Sequence, residues 1–258
     1  EIIYFLNQQR SLLALQKAEK MKKQAFADRY PYGIFSCIRT MGHIYKSRGN
    51  FDLSAQYYQE ALDYMLKNMP DQDPSQLYSS LAEYYRNTQK DYATALDYCE
   101  KALKSAKTER NIAQAMIEKC LILFRQGRID EFNDCYKEAV QMADRCKLSA
   151  NVSLLIAHIS KNILDKQYEQ AHAHADQLSE EGLQQHAYIY ECAKDYPNAI
   201  KYLKKYHQQL DSTNNLLQLS DIAELNTQIG AERLKMENIQ ATSRYRITLF
   251  SIVTGFLL

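Results

Sequence analysis

The sequence predicts an all-α fold, a right-handed α-α superhelix of stacked helix hairpins followed by a long C-terminal helix. Three observations predict it. The 258 residues include only 7 Gly and 4 Pro, and Val occurs only at positions 140, 152 and 253, whereas sheet folds need β-branched strands and many Gly/Pro turns. A pattern of small and aromatic residues recurs at intervals along the chain. After its last copy, Leu216 to Arg246 reads as helix, with no Pro and a single Gly at 230.

Residues 1–30 carry apolar positions at Leu12, Leu13, Leu15, Ala18, Met21 and Ala25. They read as the second helix of an upstream repeat whose partner helix is missing. Residues 31–210 hold about five hairpins. In the first, a small residue (Gly42) is followed by an aromatic three positions later (Tyr45). A turn comes next, then Phe51, Tyr58 and Ala61. The second copy runs Ala82, Tyr85, Tyr92, Ala95, Cys99, Ala102. The third runs Cys120, Leu123, Gly127, Ile129, Phe132, Tyr136, Ala139. The fourth has Ile159, Tyr168, Ala171 and Ala175, and the fifth Ala187, Tyr190, Tyr196, Ala199 and Leu203. Antiparallel helices approach closely only where small side chains face one another, so Gly42, Ala82, Ala95, Ala171, Ala187 and Ala199 mark helix contacts. One hairpin cannot bury its own apolar face, so neighbours must stack.

Residues 211–246 read as a linker and coiled-coil helix. Ile222, Ile229 and Met236 fall at a positions, and Leu225, Glu232 and Ile239 at d positions. This seam covers about two and a half heptads and suits a weak homodimer. The alternative is an amphipathic helix that caps the solenoid. Residues 247–258 form an apolar run without a charge, preceded by Arg244-Tyr-Arg246. Twelve residues are too few to cross a bilayer, which takes about 20, so the run reads as the start of a truncated transmembrane helix. The alternative is a helix packed on the solenoid.

Charge and motifs exclude several functions. Thirty-two Lys+Arg against 31 Asp+Glu give a net +1, with no basic field for nucleic acid. An apolar content of 46% with 20 Tyr argues against disorder. The six Cys are scattered without a CxxC pair and read as small packing residues, not a disulfide framework. Nucleotide-binding, zinc-protease, nucleophile-elbow and calcium-loop motifs do not occur. His172 and Asp176 share a helix face but supply only two metal ligands, and His174 points elsewhere. Asp71, Asp73, Glu180 and Glu181 sit where acids cap helix N-termini. The sequence therefore predicts no catalytic residues, no metal and no cofactor.

The recurring pattern resembles the tetratricopeptide repeat, with its Leu-Gly-x-x-Tyr first helix and Ala-x-x-x-Phe second helix. The resemblance covers roughly Pro31 to Gln209. The aromatic or apolar residue opening each second helix (Phe51, Tyr92, Ile129, Tyr168, Tyr196) recurs at spacings of about 41, 37, 39 and 28 against the repeat's usual 34. The resemblance implies a concave groove lined by first helices, which binds a protein or peptide. Carried onto this sequence, the groove residues are Ser36, Arg39, His43 and Lys46, then Gln76, Ser79, Glu83, Arg86 and Asn87, then Gln114, Ile117, Leu121, Phe124 and Arg125, then Ser153, Ile156, Ser160 and Ile163, and last Glu181, Gln184, Tyr188 and Glu191. So drawn, the groove is basic and polar at its N-terminal end and apolar further on, which suits an extended or helical peptide with an acidic group at one end; the alternative is a solvated groove whose Arg and Lys only keep it soluble. The carboxylate clamp of chaperone-cofactor members is not reproduced: Arg39 matches one base, but His43 stands where Asn belongs and Glu118 where a base belongs.

The order of repeat array, Asp221-Ile-Ala-Glu-Leu-Asn-Thr-Gln-Ile229, charged helix and apolar run resembles the membrane sensors of Bacteroidetes-type bacteria. In these a histidine kinase or a helix-turn-helix regulator follows the span. That resemblance implies a periplasmic, membrane-anchored sensory domain of a two-component type. Arg244 and Arg246 run against it, because positive charge is disfavoured on the outer side. The alternative is a scaffold, cytoplasmic or tail-anchored, that assembles proteins without signalling output.

Overall fold

The computed structural model describes residues 10–148, 151–179 and 181–221. The proposed dimer seam (Ile222, Leu225, Ile229, Met236, Ile239) and the apolar run 247–258 lie outside the described residues. The described residues are helical, with no strand among them, so the fold is all-α as the composition predicts. Contacts divide the chain into a unit of residues 1–16 with 213–258 and a unit of residues 17–212. The described parts of the smaller unit, 10–16 and 213–221, are helical from Ser11 onward.

The helices are α1 (Ser11–Ala27), α2 (Pro31–Ser47), α3 (Phe51–Asn68), α4 (Ser75–Tyr84), α5 (Tyr92–Ser105), α6 (Glu109–Arg125), α7 (Ile129–Arg145), α8 (Val152–Leu164), α9 (Tyr168–Ala175) and α10 (Gly182–Cys192). A further helix, α11, spans 196–221. Five hairpins result: α2/α3, α4/α5, α6/α7, α8/α9 and α10/α11. Within the larger unit, first helices of neighbouring hairpins touch along the array, α4 with α6, α6 with α8 and α8 with α10. This is a helical solenoid.

Local sequence explains where helices start and stop. Pro31 opens α2, where its missing N–H is not needed. Asn50, Asp91, Thr108 and Asn151 cap α3, α5, α6 and α8, each side chain accepting from the backbone N–H three residues on. The turn inside each hairpin contains one left-handed residue. These are Gly49, Lys90, Gly127, Lys166 and Lys194, with φ from 56° to 73°. The left-handed residue lets the chain leave the first helix and satisfy its last carbonyls. The cap and the apolar residue that opens the second helix follow directly. Before Lys90, α4 ends in a π turn, Tyr85–Gln89.

Asp73 is more than a local cap. It accepts from the Ser75 N–H at 2.9 Å, the Lys107 N–H at 2.8 Å and Asn111 Nδ2 at 2.9 Å. Burial pushes its pKa up, but these hydrogen bonds outweigh burial and hold it below the usual value. The loops preceding α4 and α6 are thereby tied together.

The core follows the small/aromatic pattern. In the first hairpin, Ile34, Phe35, Ile38, Tyr58, Ala61, Leu62 and Met65 pack together with Leu77 and Leu81 of α4. Gly42 lies so close to α3 that a Cβ there would come within 2.8 Å of the Tyr58 ring. Ala82 and Ala95 meet in the second hairpin with Cys99 and Ile122. Phe132, Ala139 and Ala143 of α7 close on Ala113, Ile117, Cys120 and Leu123 of α6. Leu155 and Ile159 pack on Ala171, Ala175 and Ile189. Every helix–helix contact that the pattern marks is buried except that at Ala199, which is half-buried.

Candidate functional site

The first helices present a ladder of polar side chains, one rung per repeat. At the α2–α4 step, Lys46 Nζ donates to Glu83 Oε2 at 2.6 Å. Burial works against the Lys46 charge, but Glu83 overcomes it and raises the pKa. At the next step, Arg86 donates through Nε and Nη2 to Glu118 Oε2, at 3.2 and 2.9 Å. Both side chains are nearly out of water, 5% and 8% exposed. Arg86 Nη1 also donates to Asn87 Oδ1 at 2.8 Å. At the third step, Ser153 Oγ of α8 donates to the other Glu118 oxygen at 2.7 Å. The partners are 37, 32 and 35 residues apart, close to one repeat each.

Between these rungs lies a cleft of about 260 Å³, lined by Gln76, Ser79, Ser80, Glu83, Gln114, Glu118, Asn151 and Ser153. Its walls are amides, hydroxyls and carboxylates. The two carboxylates already have cations beside them, so the lining is close to electrically neutral and rich in hydrogen-bonding groups.

This changes the groove read from sequence. Arg86 is not an exposed cation available to a ligand; it is buried and its charge is taken by Glu118. Lys46 is likewise paired. Phe124 belongs to the third hairpin's core, its ring 5.6 Å from that of Phe132. Arg39 lies over the Phe35 ring at 5.4 Å, and its buried Nε has no hydrogen-bond partner among the described residues. His43 meets solvent at one edge while Nδ1 bonds the Tyr58 hydroxyl at 2.9 Å. Close packing around the rest of the ring, then Arg39 and Lys46, lower its pKa. Glu83 lines the cleft, and Asn87 lies in the π turn that follows α4. Arg125 is exposed and lies over the Tyr188 ring of α10 at 5.0 Å. Burial pushes the Tyr188 hydroxyl up to about 12.

Along the first helices and their turns, the cations without a carboxylate partner among the described residues include Arg39, Lys90 and Arg125. Burial, then Arg125 and Arg86, lower the Lys90 pKa. The weight of Glu118 was not legible from its own helix, where it stands between apolar Ile117 and Leu121. The signal that could have found it is a basic residue one repeat upstream, Arg86, and a hydroxyl one repeat downstream, Ser153.

The histidines form a second cluster in the last two hairpins. His172 Nδ1 bonds His186 Nδ1 at 2.7 Å, and His186 Nε2 meets Asp176 at 3.1 Å. The Tyr136 hydroxyl bonds His158 Nδ1 at 2.6 Å, and the His158 and His174 rings stack at 5.0 Å. Among the described residues no group of three or more His, Cys, Asp or Glu side chains could hold a metal ion.

Residues 40–64 match the family model of the tetratricopeptide repeat. This stretch spans the close approach of Gly42 to Tyr58 in the first hairpin. The match covers the end of α2 and most of α3, within one hairpin of the array. No curated protein matches the sequence. Among solved structures, aspartyl phosphate phosphatase F from Bacillus subtilis superposes with a TM-score of 0.50 at 16% identity. The match covers 80% of this chain and 67% of that one. BtubC (BKLC) from P. vanneervenii gives 0.49 at 16% identity, over 78% of this chain and 91% of that one. At this identity the likeness to the phosphatase shows the fold. Among the described residues, no helix is long and apolar enough to cross a membrane.

Proposed function

We propose that this chain is a non-catalytic protein-binding module that holds a segment of a partner protein against its first helices. The observation that carries this is the polar cleft built by α4, α6 and the start of α8. A neutral lining of amides and hydroxyls fits a peptide main chain, which offers one donor and one acceptor per residue. With Lys46 and Arg86 already paired, an acidic terminus is not the expected anchor.

The test places a photo-crosslinking amino acid at Ser79 in the full-length protein, in its native cell. A single defined protein adduct is expected, diminished by Gln114→Ala in the opposite wall. The same crosslinker at exposed Lys137 of α7 should give no such adduct. Equal labelling from both positions, or none from Ser79, would remove the cleft from the reading.

The module's setting is a further part of the proposal: a sensory domain held outside a membrane, whose occupied groove changes the pairing of the helix at 211–246. The support is the sequence order, with a heptad seam and then an apolar run behind a basic-aromatic collar. A topology reporter joined after residue 258 distinguishes this from an assembly scaffold in the cytoplasm.

A further inference from the structure

We propose that Cys120 and Cys135 are a redox-active dithiol that closes, reversibly, into a disulfide joining α6 to α7. The two sulfurs are 2.7 Å apart. That is shorter than the roughly 3.5–4.0 Å kept by non-bonded carbon atoms, and within about 0.7 Å of an S–S bond. Both cysteines are free, and although they stand 15 positions apart in sequence the chain between them is folded back by the Gln126–Arg128 turn. Closing the bond therefore needs only a small side-chain adjustment.

The two thiols are unequal. Cys120 is fully buried, whereas Cys135 is half-buried and the more accessible. The Cys120 S–H donates to the Cys135 sulfur, which lowers the Cys135 pKa; burial opposes this, and Lys119 adds to the lowering. Cys135 is thus the nucleophile and Cys120 the resolving partner, because the thiolate is the reactive form. The co-reactant is a low-molecular-weight disulfide. Cys135 thiolate attacks one of its sulfurs, releasing one small thiolate and leaving a mixed disulfide on Cys135. Cys120 then attacks the Cys135 sulfur and expels the second small thiol, which takes up the Cys120 proton. One disulfide is reduced to two thiols as one protein disulfide forms. The other four cysteines have no such partner among the described residues, and Cys99 and Cys37 are buried.

The bond would tie together the hairpin that carries Glu118, the centre of the polar ladder. Incubating the full chain with oxidised glutathione should lower the thiol count, measured after denaturation, from six to four. Proteolysis and mass analysis should then show the Cys120 and Cys135 peptides linked with the loss of two hydrogens, and dithiothreitol should restore all six thiols. Closing a loop of this length should also raise the melting midpoint by several degrees. Cys135→Ser should abolish the link, and Cys146→Ser should leave it intact. A stable glutathione adduct on Cys135 without the link, a link to Cys99, or six persistent thiols would each overturn the proposal. The peptide map on the unaltered chain decides even if Cys135→Ser misfolds.

Discussion

Glu118→Ala is the substitution on which the ladder reading rests most heavily. It removes the acceptor of two Arg86 hydrogen bonds and of the Ser153 hydroxyl. Arg86 keeps only its bond to Asn87 and remains a nearly buried, uncompensated cation. Breaking such a pair from one side costs about 3–5 kcal/mol, a large part of the 5–15 kcal/mol that typically holds a domain folded. The Lys46–Glu83 pair has comparable distances, but its side chains are 41% and 31% exposed. A pair so exposed is worth about 0–1 kcal/mol. The prediction is therefore a contrast between two ion pairs one repeat apart: Glu118→Ala loses several kcal/mol, and Lys46→Ala loses less than about 1 kcal/mol. A third variant separates charge burial from lost packing. Arg86→Met with Glu118→Leu replaces both partners and should recover most of the loss, because the desolvation penalty disappears with the charges. Urea unfolding gives the stabilities. Amide exchange across α4, α6 and α8 gives the local effect, which matters because stacked repeats need not unfold in one step. A loss below about 1 kcal/mol for Glu118→Ala, with unchanged exchange in α6, would refute the buried pair.

Gly42→Leu should destabilise the chain by about 1–3 kcal/mol through overpacking, because even a Cβ would come within 2.8 Å of the buried Tyr58 ring; an unchanged urea midpoint would refute the contact. Lys166→Gly should raise stability by about 0.5–1 kcal/mol, since Lys166 occupies a left-handed position at φ 58° that glycine adopts without strain. Gly127→Ala, at φ 70° with no atom near a Cβ, should cost about 1 kcal/mol from backbone strain alone. Stability should also fall as pH drops below about 6.5. Burial, and for His158 and His172 also a neighbouring histidine, hold His158, His172 and His174 below the ordinary value of 6.5. The unfolded chain then binds more protons than the folded one in that range, so the contribution is intact above pH 6.5 and lost on acidification. Urea midpoints that are flat between pH 7.5 and 5 would contradict this.

How much of the molecule was legible in the sequence depends on what kind of interaction decides each residue. Gly42, Ala82, Ala95 and Ala171 were readable because close helix approach admits only small side chains, and that constraint repeats with the hairpin. The turns were half readable. Gly49 and Gly127 signal a left-handed residue by themselves, but Lys90, Lys166 and Lys194 do the same job with a side chain that favours no such conformation. What marks them is the apolar residue two positions on, Tyr92, Tyr168 and Tyr196, just as Phe51 and Ile129 follow the glycines. The groove was readable as a list of positions but not as a charge distribution. Lys46 and Arg86 count as two positive groups in the sequence. In the fold each meets a carboxylate on the next first helix, and the surface they were expected to charge is neutral.

That neutralisation also says what the ladder does for the array. Apolar contacts between stacked hairpins are non-directional and tolerate sliding, so they set affinity between repeats more than register. A buried Arg86–Glu118 pair has the opposite character, because displacing one partner by a few ångström leaves both charges unsatisfied. Glu118 is bound on both sides, by Arg86 of the preceding hairpin and Ser153 of the following one. It therefore fixes three successive first helices in one relative position, and those helices supply the walls of the cleft. A ligand that reached Glu118 or Ser153 would have to compete with these bonds, and doing so would release the register of the helices around it. On the proposed reading, Glu118 and Ser153 would be met by a bound peptide, and occupancy of the cleft would then be coupled to the packing of neighbouring repeats without any separate moving part.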